Sequence, residues 1–341
     1  RLPASTPYFI YFGAMPRVNS VLCLLVAFVC CFSEVAAQST PIVKISGLGS
    51  TFIPDGNYAL LWGGNYFHIL KKTAGIWDKT PVKTISITDS GFPSGAQTFQ
   101  GFAFSEDAAF AKVPHYQDGV GHTYKVHVFK NTAGVWSSTP VATIDGGANQ
   151  NFADRIAMTS NYAFIYSRVW VSSHNIHEHE VRIYKSTAGT WGTASVAYLS
   201  AYKTENNFGS TIAMTDDFAI IRGDKKAYIF KNNAGTWSTT AVATIDGYTA
   251  EQYFGYIIAM TNDFAFIRGN SDVYVFKNNA GTWSTTAVAV IKASDHSVTQ
   301  FSSIAMTSNM AFMGSTDSTT VFVFKNDAGT WNTTAIASHK G

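Results

Sequence analysis

The sequence predicts an all-β protein: a β-propeller of about six four-stranded antiparallel blades, with seven as the alternative. Three observations predict it. One string recurs six times, the repeat length settles near 46 residues, and the composition is rich in aromatics and poor in charge. The string is Ala-Gly-x-Trp, with tryptophans at 77, 136, 191, 237, 283 and 331, spaced by 59, 55, 46, 46 and 48. A period near 46 suits a propeller blade and is too long for one coil of a β-solenoid. Aromatics make up 14% of the 341 residues and charged residues only 13%, against a usual charged share of ~25%. The aromatic load excludes disorder, and helical bundles would need long runs of Glu, Lys, Leu and Arg.

The first segment is read apart from the rest. Residues 1–14 precede the first methionine, Met15, and are taken as an upstream non-native extension. Residues 15–37 form a signal peptide: Arg17, then twelve apolar residues from Val21 to Phe32, then a Val-Ala-Ala end at Ala37. Twelve apolar residues are too few to cross ~30 Å of hydrocarbon as a helix. All three cysteines (Cys23, Cys30, Cys31) fall in this segment. The mature chain is therefore expected to be secreted, without disulfides, and held together by packing. It shows no further apolar stretch of spanning length, so no membrane span is expected. Without residues 1–37 the chain carries 22 basic and 21 acidic residues. That balance argues against nucleic acid as a partner.

The propeller is expected over residues 41–341, and each unit parses into four strands. In the fourth unit these are Thr211 to Thr215, Phe218 to Arg222, Ala227 to Lys231 and Ala241 to Ile245. Runs such as Phe-Ala-Ile-Ile lack a polar alternate, which implies burial on both faces of the sheet. A blade sandwiched between two neighbours supplies that burial. Between the third and fourth strands, Ala-Gly predicts a turn with Gly235 at positive φ. The Trp that follows is expected to fill a contact between blades. Burying ~200 Å² of indole at ~25 cal/mol per Å² is worth ~5 kcal/mol before entropy. The segment 40–47 matches a fourth strand but precedes the first full unit. It is expected to overlap the last blade, or to mark a seven-bladed ring of which the sequence is a fragment.

These motifs resemble the FG-GAP repeat family, the blades of integrin-α-type propellers and their secreted relatives. The resemblance rests on Phe208-Gly209 and Phe254-Gly255, the Ile-Ala-Met-Thr strand, the Tyr-x-Phe strand and the Gly-x-Trp corner. It implies a propeller, and an extracellular protein or glycan as partner. Family members often carry an Asp-x-Asp-x-Asp-Gly calcium loop. That spacing does not occur here, and Asp145-Gly146 and Asp246-Gly247 are lone acids where calcium needs six to eight oxygens.

Catalytic patterns are not found: no Gly-x-Ser-x-Gly elbow, no phosphate loop and no His-Glu-x-x-His. Asp216-Asp217 reads as turn-forming. Repetition itself argues against an active site, which needs unlike residues converging once, so the chain is expected not to be an enzyme. Units two and three depart from the pattern, each with an insertion after its second strand. The insertions hold His115, Tyr116 and His122 in one and Trp170, His174, His177 and His179 in the other. Loops of adjacent blades protrude on one side, so these five histidines are expected to be neighbours. His177 and His179 at i, i+2 would share a face of an extended strand, which suits zinc or copper, with a solvated hairpin tip as the bland reading. Tyr116 and Trp170 beside Asn and Thr suit a sugar or a protein partner, with His115 and His122 in the same ligand-binding group. No cofactor is expected, with calcium or a transition metal left open. Asn332-Thr-Thr is an N-glycosylation sequon. The first functional expectation is a secreted, non-enzymatic propeller for adhesion to a protein or glycan. Behind it stand a multivalent lectin with pockets between blades, and a metal-dependent hydrolase built on the long loops.

Overall fold

The computed structural model describes residues 49–340 apart from 53–55, 64–65, 79, 87–100, 118–120, 148–150, 174–175, 200–201, 248–251, 316 and 318. The expected signal peptide at 15–37, the extension at 1–14 and the strand-like segment at 40–47 lie outside the described residues. Six antiparallel sheets span 49–86, 101–145, 155–198, 212–246, 258–291 and 301–340. The first strands of successive sheets approach one another, and the sheets are the blades of a six-bladed β-propeller. The sixth sheet fills all four strand positions from within 301–340.

The fourth blade shows why the sequence folds this way. Its strands are Ile212–Met214, Phe218–Arg222, Lys226–Asn233 and Ala243–Asp246, paired in register as Ile212↔Ile221, Ile221↔Tyr228 and Tyr228↔Thr244. All five residues of the second strand are buried. Ala219 and Ile221 pack toward the third blade and Phe218 and Ile220 toward the fifth, the alternation of a strand buried on both faces. Five such apolar clusters fill the seams from the first–second to the fifth–sixth blade.

A short extra strand, Thr236–Trp237, pairs back onto the end of the third strand. The turn between them places both Ala234 and Gly235 at positive φ, +49° and +97°. Two central residues at positive φ define the type I′ hairpin, whose twist matches that of the strands. The Ala-Gly pairs of all six blades adopt it. Asn232 secures the turn: its Oδ1 accepts from Gly235 N at 2.8 Å, and its Nδ2 donates to Asp216 O at 2.8 Å. Asn131, Asn278 and Asn326 repeat both bonds.

In blades two to six the hairpin drops its Trp into the seam with the preceding blade. Trp237 meets Tyr162 and Phe164 edge-on at 5.6 and 4.8 Å, and Trp331 meets Phe264 and Phe266 at 5.9 and 4.8 Å. Trp136, Trp191 and Trp283 are buried in the same way. Trp77 of the first blade is only half-buried. Asp216-Asp217 forms the expected turn and also ties three blades together. Asp216 accepts from Thr159 and Asn161 of the third blade, and Asp217 accepts from Asn262 of the fifth.

Candidate functional site

Corner turns cap one rim of the ring, and the hairpins joining second to third strands cap the other. In the fourth and fifth blades those hairpins are short. In the second and third they are long, Ala108–Gln117 with Gly121–Thr132 and Tyr162–Val171 with Ile176–Thr187. The third-blade hairpin builds a cleft. Its register pairs Arg168 with His179 and Trp170 with His177, so these four side chains share a face with Tyr166.

The opposite wall is the connection from the third to the fourth blade. His179 N donates to Lys203 O at 2.7 Å, and Lys203 Nζ pairs with Glu178 at 3.0 Å. Glu205 Oε1 accepts from Asp224 N at 3.1 Å. The connection is thus pinned to both blades. Asn207 sits at φ +62°, and its carbonyl accepts from Ser210 N and Oγ. The result is an open cleft of about 590 Å³ lined by Arg168, His177, His179, Thr204, Asn206, Asn207 and Asp224. Small-molecule sites span ~300–1,000 Å³.

Within the cleft, His179 Nδ1 hydrogen-bonds Tyr166 OH at 2.9 Å, with the rings stacked at 5.9 Å. Burial first, then Arg168 and His177, hold the His179 pKa below its ordinary value. Burial pushes the Tyr166 hydroxyl up to about 12, so it stays protonated. His177 packs edge-on against Trp170 at 4.7 Å, and the indole of Trp170 is 49% exposed. The lining therefore combines a guanidinium and two imidazoles from the hairpin with amide and hydroxyl groups from the connection and a carboxylate from the fourth blade.

The structure brings together only part of what the sequence suggested. His177 and His179 do share a face, while His174 lies outside the described residues. Contrary to expectation, His115 of the second blade is not part of the cleft lining, and the side chain of His122 lies outside the described residues. His115 is half-buried and pairs across from Thr123, whereas His122 pairs across from Tyr116, so the two do not oppose each other. Among the described residues, no three His, Cys, Asp or Glu side chains converge as a metal set. Asp145 is engaged by Lys125 at 2.9 Å and by Gly147 N, and Asp246 is exposed near Lys226. Asn332 lies at the last corner, with Nδ2 donating to Asp327 at 3.3 Å. Sequence reasoning missed Arg168, Asn206, Asn207 and Asp224. Arg168 immediately precedes the pattern-breaking insertion, which was the available signal; the other three converge only through the fold.

The recurring Arg222 and Arg268 are buried and serve the seams. Arg222 Nε donates to Phe254 O at 3.2 Å and Arg268 Nη1 to Phe301 O at 2.7 Å. Each therefore holds the backbone of a Phe in the next blade, Phe254 in a turn and Phe301 at the start of the first strand. Gly255 leaves room for this, because a Cβ there would lie 3.0 Å from Arg222 Cγ at φ +79°.

No family model and no curated protein matches the chain. Among solved structures it is similar to a Bacteroides fragilis protein described as a candidate 6-phosphogluconolactonase. That match has 11% identity and a TM-score of 0.52 over 98% of this chain and 95% of that one. It is also similar to Hsv2 of Kluyveromyces lactis, at 12% identity and TM-score 0.47 over 71% of this chain, and it spans 62% of that chain. The soluble aldose sugar dehydrogenase of Escherichia coli matches at 11% identity and TM-score 0.38, over 81% and 92% of the two chains. These likenesses are of fold. The Bacteroides fragilis match corrects one expectation, that repetition makes this chain a non-enzyme. A propeller sharing nearly its whole length is described as a lactonase, so repeated blades do not exclude an active site. Among the described residues no helix is long and apolar enough to cross a membrane.

Proposed function

We propose that this chain is a secreted, FG-GAP-like propeller that binds a glycan in the third-blade cleft. The observation that carries the reading is the cleft itself. A guanidinium, two imidazoles and a set of amide and hydroxyl groups line it, and the exposed indole of Trp170 packs edge-on against the lining residue His177. Flat apolar rings beside hydrogen-bonding groups match the two faces of a sugar, one of C–H bonds and one of hydroxyls. The buried roles of Arg222 and Arg268 favour this single cleft over a pocket repeated between blades. Secretion rests on the signal-like residues 15–37.

A protein partner is the second reading, supported by the exposed Ile76, Val82, Val135 and Val141 of the first two blades. Glycan-array binding of the purified protein tests the choice. Saturable binding that falls at least about tenfold in Trp170→Ala, a loss typical of an aromatic contact at a binding hot spot, is the expected outcome. Silence on the array would move the reading to a protein partner. Detection in the medium of an N-terminus beginning after Ala37 tests secretion.

A further inference from the structure

The charge layout of the cleft narrows the ligand. Arg168 is exposed and shares a strand face with His177 and His179, while the fourth blade contributes Asp224 and the connection contributes Thr204, Asn206 and Asn207 to the same lining. Its neighbours in the hairpin leave the guanidinium to the cleft. Glu178 pairs with Lys203, and Glu180 with Arg182 at 2.9 Å. An arginine fork presents parallel N–H donors matched to a carboxylate. Asp224 lines the cleft, where its carboxylate can accept from hydroxyls.

From this we propose that the cleft binds a saccharide bearing a single carboxylate, a uronic-acid unit within an otherwise neutral chain. The inference rests on the glycan reading above. The carboxylate meets Arg168 and the ring lies against Trp170 and His177. The hydroxyls of that sugar and its neighbour reach Asn206, Asn207, Thr204 and Asp224. The layout also says what the cleft rejects. With one full positive and one full negative charge on its walls, it offers a polyanion no net attraction, and Asp224 would repel a second acidic group. His179 is held neutral by burial and by Arg168 and His177, so near neutral pH it serves as a hydrogen-bonding group.

The test is titration of the purified protein with three probes, read by calorimetry and by the Trp170 indole resonance. The probes are a trisaccharide with one uronic acid, the same trisaccharide with a hydroxymethyl in place of the carboxylate, and a sulfated heparin fragment. The acidic trisaccharide is expected to bind at least about tenfold more tightly than the neutral one, the scale of a charge-assisted hydrogen bond. Arg168→Gln should remove that preference and leave the melting temperature unchanged. Arg168→Lys should restore part of it, and Asp224→Asn should weaken both sugars alike.

Equal affinity for the two trisaccharides, unmoved by Arg168→Gln, would overturn the carboxylate assignment and leave the glycan reading standing. Tightest binding by heparin would overturn it in favour of a diffuse basic surface. Binding of neither trisaccharide, with the Trp170 resonance unshifted, would remove the glycan reading and this inference with it.

Discussion

The fourth and fifth blades are nearly the same object twice, and the second and third are that object with its outer hairpin drawn out. In the regular pair the repeated polar residues serve the ring. Arg222 and Arg268 hold a Phe carbonyl of the next blade, Asp217 ties to Asn262, and Asn232 and Asn278 lock their own corners. In the extended pair the added residues leave the seams unchanged, with Trp136, Trp191 and Trp237 as buried as Trp283. What changes is the rim. Polar groups that no neighbouring blade requires, Arg168 and His177 among them, are set around a cleft. The difference separates residues that hold the ring from residues free to meet a ligand.

The sharpest way to break that separation is at the corner. Trp237→Ala or Trp283→Ala should cost about 3–5 kcal/mol, the usual cost of emptying a core aromatic site, read by chemical denaturation. Losses below about 1 kcal/mol, the scale of an ordinary surface substitution, would mean the seams do not rest on these rings.

A second test lies inside the extended pair. His127 is buried where the fourth blade has Tyr228, and burial, Lys125 and His115 lower its pKa to about 4. The unfolded chain therefore takes up a proton near pH 6.5 while the folded chain resists until about pH 4. Stability from this group is full above pH 6.5 and is lost as pH falls toward 4. The loss should reach roughly 2 kcal/mol after solvent screening. His127→Tyr, the residue the regular blade uses, should flatten that slope in a urea series across pH 7 to 4.5. An unchanged slope would show that other groups set it.

A smaller effect, of opposite sign, is expected at the turn shared by all blades. Ala234 holds φ +49°, a left-handed conformation that costs a residue with a Cβ about 1 kcal/mol. Ala234→Gly should therefore raise stability by up to about 1 kcal/mol, less whatever Gly loses through its freer unfolded chain. A loss instead would mean that the Ala methyl packs well enough to outweigh the strain. Smallest of all, Trp170→Ala should change stability by under about 0.5 kcal/mol. The same variant should impair glycan binding, which places this residue on the opposite side of the comparison from Trp237.

How much of this was legible follows the same division. The corner could be read because its cause is local. Ala-Gly dictates a turn, and the Trp two residues after Gly235 must then leave the sheet edge. Strand burial was readable too, since Phe218 to Ile221 carry no polar alternate. The extra strand at Thr236–Trp237 was not anticipated, because a two-residue pairing has no periodicity to detect. Asp216-Asp217 looked like turn chemistry alone, and its ties to Asn161 and Asn262 are made across blades more than 40 residues apart in sequence. The cleft was half-read: the unequal repeat lengths pointed to the third-blade hairpin. Its second wall is an irregular connection, folded back by His179 N to Lys203 O, and no pattern in the chain announces that bond.

The twelve-residue strand Ile176–Thr187 has the cleft at its first end and the corner hairpin at its last. At 3.3 Å per residue these ends stand about 36 Å apart. A mutation at the hairpin tip thus lies well beyond the range at which substitutions usually couple to a site such as Trp191. Descendants of such a gene can therefore explore new hairpin lengths and tip sequences in one blade while inheriting an intact ring, and selection can act on recognition without first having to repair folding.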